Sequence, residues 1–317
     1  MRARWLRPGL TLLSVGVLTA TLGGWAAPEV LLGVWLSSFR VLYLWLALAC
    51  VGLAVWCRAP RVIMMSGLTA GLNLLWIWPC LDIASNLPAG EKVATVLLAN
   101  VQTSNRDYAR VLERIREVDP DIVILQEVDE RWIEAMGELR ERFGEHYELP
   151  REDNFGIAVY ATSIAMDLVM PGLDYANVPS VAIQLGNEEG DTLGWLLATH
   201  PVPPVNADYL LQRNQHIGSI ADWAEHLGGP VAVVGDLNMT PWSPTMRRLE
   251  WGTGMRHSRR GEGILTSWPY QSVLMTPFRI PLDHALAGRG WMAHNTRTLE
   301  SIGSDHLPLL VDISEVP

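Results

Sequence analysis

Three long apolar stretches fill the first quarter of the chain, and short apolar runs of strand length fill the remainder. No charged residue lies between Arg7 and Glu29, between Arg40 and Arg58, or between Arg61 and Asp82. A helix crossing hydrocarbon needs roughly 20 mainly apolar residues. The gaps therefore predict three spans at about 9–27, 41–57 and 62–81. The second is short, and the apolar run Val30–Phe39 ahead of it predicts a helix that starts early, with Arg40 snorkelling to the interface. Three buried helices of a soluble core are the alternative, and such helices rarely run this long without a charge.

The pattern changes after Asp82. Asp82–Gly90, with its Asn, Pro and Gly, reads as a linker. The chain divides into a membrane region (1–82), a linker (83–92) and one domain (93–317). Within that domain, strands are predicted at Val93–Ala99, Ile122–Leu125, Phe155–Tyr160, Ser180–Leu185, Leu193–Thr199, Val231–Val234, Thr266–Trp268, Leu282–Leu286 and Leu309–Ile313. Tyr108, Val111, Leu112, Ile115 and Val118 recur at helical spacing behind Asn105 or Asp107 as cap. Further helices are expected over Val128–Arg142 and Ala207–Leu227, the latter stopped by Gly228-Gly229-Pro230. No internal repeat or low-complexity tract interrupts the series, so an α/β domain is expected.

Charge sets orientation. Arg2, Arg4 and Arg7 precede the first span, and Arg58 and Arg61 link the second to the third, while the loop between spans one and two carries Arg40 alone. The positive-inside rule puts the N-terminus in the cytoplasm and everything after Asp82 outside the inner membrane. A cleaved signal peptide ending near Trp25-Ala26-Ala27 is the rival reading of the first span and leaves the domain on the same side. All three cysteines (Cys50, Cys57, Cys80) lie in the membrane region, which agrees with export of the domain. Seven tryptophans precede residue 89, several of them suited to interfacial anchoring. Residues 1–89 carry a net charge of +4 and residues 90–317 a net −14. Stable nucleic-acid binding is disfavoured by so acidic a domain. A small phosphoester, or a lipid headgroup held beside the bilayer, suits it better.

Polar groups follow the apolar runs where a sheet would deliver them to its rim: Asn100, Glu127, His200, Asp236, Asn238, Asp283, Asp305 and His306. Carboxylates, carboxamides and an Asp-His pair are the parts of metal-assisted phosphate-ester hydrolysis. Glu127, with Asn100 at the neighbouring strand end and Asp305 to complete it, forms a partial oxygen shell for Mg²⁺ or Mn²⁺. In Asp236-Leu237-Asn238, alternation along an extended chain would aim both polar side chains at one target. His306 is the candidate acid/base, with Asp283 fixing its tautomer, and His200 is a candidate phosphate donor. Each has a plainer reading: Asp-Leu-Asn before Pro241 is turn chemistry, Glu127 suits the N-terminus of a helix, Ser304-Asp305 suits a turn, His200 suits a structural hydrogen bond, and His284 competes with Asp283.

In order along the chain, Asn100, Gln126-Glu127, Asn154-Phe155-Gly156-Ile157-Ala158, Thr199-His200, Gly235-Asp236-Leu237-Asn238, Thr266-Ser267-Trp268-Pro269, Leu282-Asp283-His284 and Ser304-Asp305-His306 resemble the motif blocks of the endonuclease/exonuclease/phosphatase (DNase I-like) superfamily. The resemblance runs from about Val93 to Ile313. It implies a four-layer αββα sandwich of two mixed β-sheets, with Glu127, Asn100 and Asp305 at the metal. It also implies that Asp236 and Asn238 position water and the phosphoryl group, that Asp283 orients His306 as general acid/base, and that His200 contacts the phosphate. Ala161-Thr162-Ser163 stands where relatives often carry Ser-Arg, so a phosphate-contacting arginine is missing there. Arg247, Arg248, Arg256, Arg259 and Arg260 are candidates to replace it, with a solvated basic loop as the alternative. Three spans ahead of such a domain are similar to a bacterial membrane branch of the superfamily. The expectation is a membrane-anchored, metal-dependent phosphoric ester hydrolase, acting on a lipid headgroup or other small phosphodiester. An exported nuclease or a catalytically silent binding protein is the alternative.

Overall fold

The apolar runs of the domain become strands buried on both faces, which is why they carry so few polar positions. A computed structural model describes residues 4–83, 88–173, 177–187 and 189–317. The middle of the predicted linker, 84–87, lies outside the described residues. Strands β1 (Lys92–Asn100), β2 (Ile122–Gln126), β3 (Glu145–Leu149), β4 (Ile157–Ala161), β11 (Trp291–Thr298) and β12 (Leu309–Glu315) form one sheet in the order β11-β12-β1-β2-β4-β3. The second sheet, in the order β5-β6-β7-β8-β10-β9, is built from β5 (Ala165–Val169), β6 (Ser180–Gly186), β7 (Thr192–Thr199), β8 (Val231–Asp236), β9 (Arg256–His257) and β10 (Asp283–Gly288). Both sheets are mixed, with β1 parallel to β2 in the first and β7 parallel to β8 in the second.

Alternation sorts the side chains into three cores. Val96, Leu98, Ile122 and Ile124 meet Ile183, Leu196, Ala198 and Val234 between the sheets. Leu97, Ala99, Val123 and Leu125 point outward to helices α5 (Tyr108–Val118), α6 (Glu130–Ala135) and α7 (Gly137–Phe143). Leu197, Val231 and Val233 pack beneath α8 (Ala207–Leu227) and α9 (Pro244–Thr253). The result is the four-layer sandwich that the motif order implied. The helix expected over Val128–Arg142 is divided at Met136, whose buried side chain and the poor helix former Gly137 end one helix and begin the next. Thr266–Trp268 is no strand, only a bridge from Trp268 to Ile280. Strands β3, β5 and β11 and helix α9 were not predicted: their half-exposed or mixed patterns carry weaker periodicity.

Three N-terminal helices are long and apolar enough to cross a membrane: α1 (Arg7–Ala26), α3 (Arg40–Cys57) and α4 (Pro60–Leu81). The run ahead of α3 is not an early start of that helix. It forms a separate short helix, α2 (Leu31–Ser38), and the chain leaves helical geometry at Phe39. Arg40 does not snorkel to water: it is fully buried, its guanidinium 4.5 Å from the centre of the Trp76 ring. Buried polar pairs, Ser66 to Ser14 and Asn73 to Thr21 at 2.9 Å each, join α4 to α1.

The helical region docks on the sandwich at several points. Ile77 and Cys80 of α4 share an apolar cluster with Trp242, whose indole nitrogen donates to the Ser37 carbonyl at 3.1 Å. Trp35 donates to the Pro204 carbonyl at 2.9 Å, Arg248 pairs with Glu29, and Gly261 and Gly263 donate to the carbonyls of Pro79 and Cys80. At the far end of the bundle, Arg7 donates to the carbonyls of Cys57 and Arg58.

Candidate active site

Strand ends from both sheets meet at one rim. Register places Asn100 beside Gln126 in the first sheet and Asp236 beside Asp283 in the second. Gln126 joins them: its amide nitrogen donates 2.8 Å to the Thr199 carbonyl, and its oxygen accepts from the Asp236 backbone at 3.0 Å. Gly235 leaves room for this crossing, since a Cβ there would lie 1.8 Å from the Thr199 carbonyl oxygen. Gln126 was noted only as a motif letter. Its full burial between polar neighbours gives it a role that spacing alone does not reveal.

Beyond the strands the chain turns sharply. Glu127 (φ 64) and Asn238 (φ 50) both occupy the left-handed region, a conformation costing a non-glycine residue about 1–2 kcal/mol. Each is held there. The Glu127 backbone donates to Gly156 at 2.8 Å while its carbonyl accepts from Thr103. Buried Arg213 donates to the Asn238 carbonyl at 3.1 Å. The extended alternation expected for Asp236-Leu237-Asn238 is thus replaced by a turn, in which the Asn238 backbone donates to Asp236 Oδ1 at 2.9 Å. Both side chains still face one cavity of about 700 Å³, whose walls include Glu127, His200, Asp236, Asn238, Asp305 and His306.

His306 and Asp283 are directly hydrogen-bonded, with Nδ1 to Oδ2 at 2.8 Å. The Ser267 hydroxyl oxygen accepts from the Asp283 backbone at 3.2 Å, and Ser304 accepts from the His306 backbone at 3.0 Å. Burial disfavours charge on His306. The carboxylates of Asp283 and Asp236 outweigh burial and push its pKa up to about 10. Burial likewise opposes the Asp283 carboxylate, yet His306 and the Ser267 hydroxyl hold its pKa below the ordinary value. Each partner thus favours the charged form of the other. The other face of His306, Nε2, lies 3.7 Å from Asp236 Oδ2, and His200 Nε2 lies 3.6 Å from the same oxygen. Burial opposes protonation of His200 too, but Asp236 and Glu127 raise its pKa.

Asp236, Asp283 and His306 could bring ligand atoms within 4.8 Å of one another. We do not assign the cation to them, because Asp283 is already engaged with His306 Nδ1. Glu127, Asp236 and Asp305 instead offer hard oxygen donors around the cavity, as Mg²⁺ or Mn²⁺ prefers. Among the described residues no lysine or arginine lines that cavity. That donor set fits a divalent ion. Asn100, expected as a ligand, directs its amide nitrogen 2.8 Å to Glu127 Oε1, and its oxygen accepts from Gln102. In this arrangement it orients Glu127. Asp305 accepts from Trp268 (2.9 Å) and Gln271 (3.1 Å), both through Oδ2.

The arginines proposed to replace the missing phosphate contact lie elsewhere. Arg247 stacks 3.9 Å from the Trp76 ring centre, Arg248 pairs with Glu29, Arg260 with Glu250, and Arg259 is buried against His284. Arg256 faces a separate cavity. His284 does not compete with Asp283: it is buried, donates 2.7 Å to the Met239 carbonyl, and burial lowers its pKa to about 3. What sequence did not reveal is the wall contributed from outside the domain: Val34, Trp35, Ser38 and Phe39 line the same cavity.

The fold agrees with comparisons to known proteins. Three solved structures superpose on the sandwich. The human Nocturnin catalytic domain with bound sulfate is 18% identical, with a TM-score of 0.55, covering 72% of this chain and 97% of that one. D. rerio TDP2 complexed with a single strand DNA product is 15% identical, with a TM-score of 0.56, covering 69% and 98%. An endonuclease/exonuclease/phosphatase from Beutenbergia cavernae is 16% identical, with a TM-score of 0.52, covering 71% and 72%. At such identities the likeness shows a shared fold. Among curated protein sequences none matches the chain. The sequence profile of the endonuclease/exonuclease/phosphatase family matches residues 97–306, from the middle of β1 to His306, and on that match the chain belongs to the Endonuclease/Exonuclease/phosphatase family.

Proposed function

We propose that the chain is a membrane-anchored, divalent-metal-dependent phosphodiesterase whose active site faces the exterior of the inner membrane, and that its substrate is a lipid headgroup or a similarly small phosphodiester. One observation carries this reading: a cleft that gathers the His306–Asp283 pair, Asp236, Asn238, His200 and Glu127, and contains no lysine or arginine among the described residues. The placement of Arg7 and Arg58 at the end of the bundle opposite the sandwich supports the orientation.

Hydrolysis adds water across one P–O bond, giving a phosphomonoester and an alcohol. Asp236, between the His200 and His306 imidazoles, is placed to orient the attacking water and accept its proton. His200 and His306 lend positive charge to the phosphoryl oxygens as charge builds there. Asn238 spends one amide hydrogen on the Pro201 carbonyl (3.0 Å) and keeps another for a phosphoryl oxygen. Asp283 holds the His306 ring in place and keeps it protonated, so that Nε2–H can pass its proton to the departing alkoxide. Glu127, with Asp305, would hold the cation. When bound, a divalent cation neutralises phosphoryl charge and stabilises the leaving oxygen.

The test is turnover of bis-p-nitrophenyl phosphate by the detergent-purified chain with Mg²⁺, Mn²⁺ or EDTA, beside Asp236→Ala and His306→Ala. Metal-dependent turnover lost in both variants is expected, and absence of turnover with every metal would sink the reading. Single-stranded DNA and phospholipid vesicles then compete as substrates, and faster cleavage of DNA would replace the lipid assignment with a nuclease.

A further inference from the structure

One six-residue segment of the sandwich exposes several apolar side chains in a row. Val273–Phe278 forms a 3₁₀ helix of sequence Val-Leu-Met-Thr-Pro-Phe, in which Val273 and Leu274 are 82% and 81% exposed and Met275 and Phe278 are exposed as well. A soluble surface rarely presents four such side chains together without a partner. The location of the segment identifies the partner. Phe278 packs edge-on against Phe39, with ring centres 6.2 Å apart, and Phe39 immediately precedes α3. Eighteen helical residues rise about 27 Å, close to the thickness of a bilayer's hydrocarbon core, so the first turn of α3 sits at one membrane surface. The segment is therefore level with the boundary between headgroups and acyl chains.

A second exposed apolar group lies at the end of another span. Trp251 is 78% exposed and shares a small cavity with Trp76 and Pro79 near the end of α4. Leu32 of α2, the helix that also lines the cleft, is 62% exposed. Aromatic and aliphatic groups at this level match an interfacial belt rather than a protein-binding patch.

The active-site cleft opens into this belt. One wall is Val34, Trp35 and Phe39 of the α2 region, and another is Trp268, Ile280 and Leu282, which flank the 273–278 segment. Resting on the phosphodiesterase reading above, we propose that the Val273–Phe278 segment dips into the outer leaflet and that the cleft beside it is a lateral portal. Through it, a phospholipid presents its headgroup phosphodiester to His306 and Asp236 without leaving the bilayer, while its acyl chains stay against Phe39 and the 273–278 segment.

Two measurements on the full chain in phosphatidylethanolamine–phosphatidylglycerol nanodiscs test this. The first compares wild type with Val273→Asp/Leu274→Asp, two positions outside the cleft lining. Phosphate-ester cleavage of the nanodisc lipids should fall at least tenfold, with turnover of water-soluble bis-p-nitrophenyl phosphate unchanged within twofold. Equal loss on both substrates, or on neither, would overturn the portal and leave the phosphodiesterase reading standing. The second needs no activity: a photoreactive benzoylphenylalanine replaces Leu274 or, as control, Val316 at the opposite end of β12. Lipid adducts at 274 and none at 316 are expected. No lipid adduct at 274 overturns the inference, even if the soluble ester is cleaved. A wild type inert toward the soluble ester overturns the proposed function separately.

Discussion

His306 and Asp283 bridge the two sheets of the sandwich: Asp283 opens β10 in one, His306 lies three residues ahead of β12 in the other, and their side chains meet at 2.8 Å. The candidate catalytic pair is thus also an inter-sheet tie.

Asp283→Asn keeps the shape of the side chain and removes its charge. The His306 pKa, about 10 in the parent, should fall toward its ordinary value, read by NMR of the labelled imidazole. A raised histidine pKa adds stability that is fully present below about 6.5 and disappears as pH rises through about 10, while the lowered Asp283 pKa adds stability lost in acid. At pH 7–8 the variant should lose about 3–5 kcal/mol, as expected for a broken buried pair. Turnover should drop about a hundredfold or more. An unchanged His306 titration would contradict the assignment.

Acid should weaken the fold by a separate route. Burial holds His216 near pKa 4 and His284 near 3, and pushes His257 well below its ordinary value. Below about 6.5 the unfolded chain takes up protons that the folded chain refuses, so stability falls as pH drops. Each such histidine contributes up to about 1.4 kcal/mol per pH unit. Thermal midpoints between pH 7.5 and 5 should therefore decline steeply, and a flat profile would refute the neutral assignment of these rings.

Gln126→Leu replaces the inter-sheet amide by a side chain of similar volume. The Thr199 carbonyl and the Asp236 backbone N–H lose their partners, at about 1–3 kcal/mol for each buried group left unsatisfied. Because Asp236 is then free to shift, kcat should fall with little change in KM. A variant with unaltered kcat would restrict Gln126 to packing.

Glu127→Gln keeps the Asn100 contact and removes a negative charge from the cleft. The Mn²⁺ concentration giving half-maximal bis-p-nitrophenyl phosphate turnover should rise at least tenfold, with the thermal midpoint in EDTA little changed. An unshifted metal dependence would place the cation elsewhere.

Much of this was legible before any coordinates. Runs such as Val231–Val234 announce strands buried on both faces, and a polar group directly after such a run sits at the rim, as Glu127 and His200 do. Charge-free lengths marked the three long helices to within about two residues at each end. The rest was hidden for physical reasons. Turn geometry at Asn238 depends on Arg213, 25 positions away. Arg40 looked like an interfacial anchor because nothing local announces Trp76 as its cover. The fate of the arginines from 247 to 260 was equally invisible, since they are engaged by the helical region and by buried neighbours rather than by the cleft.

The wall supplied by Val34, Trp35, Ser38 and Phe39 has a practical meaning for anyone handling this protein. Cutting the chain before β1 to obtain the sandwich alone removes these four residues and, with them, one wall of the cleft. On the proposed function, such a fragment would admit bulkier esters and grip an acyl chain poorly, so specificity measured on it would describe the truncation.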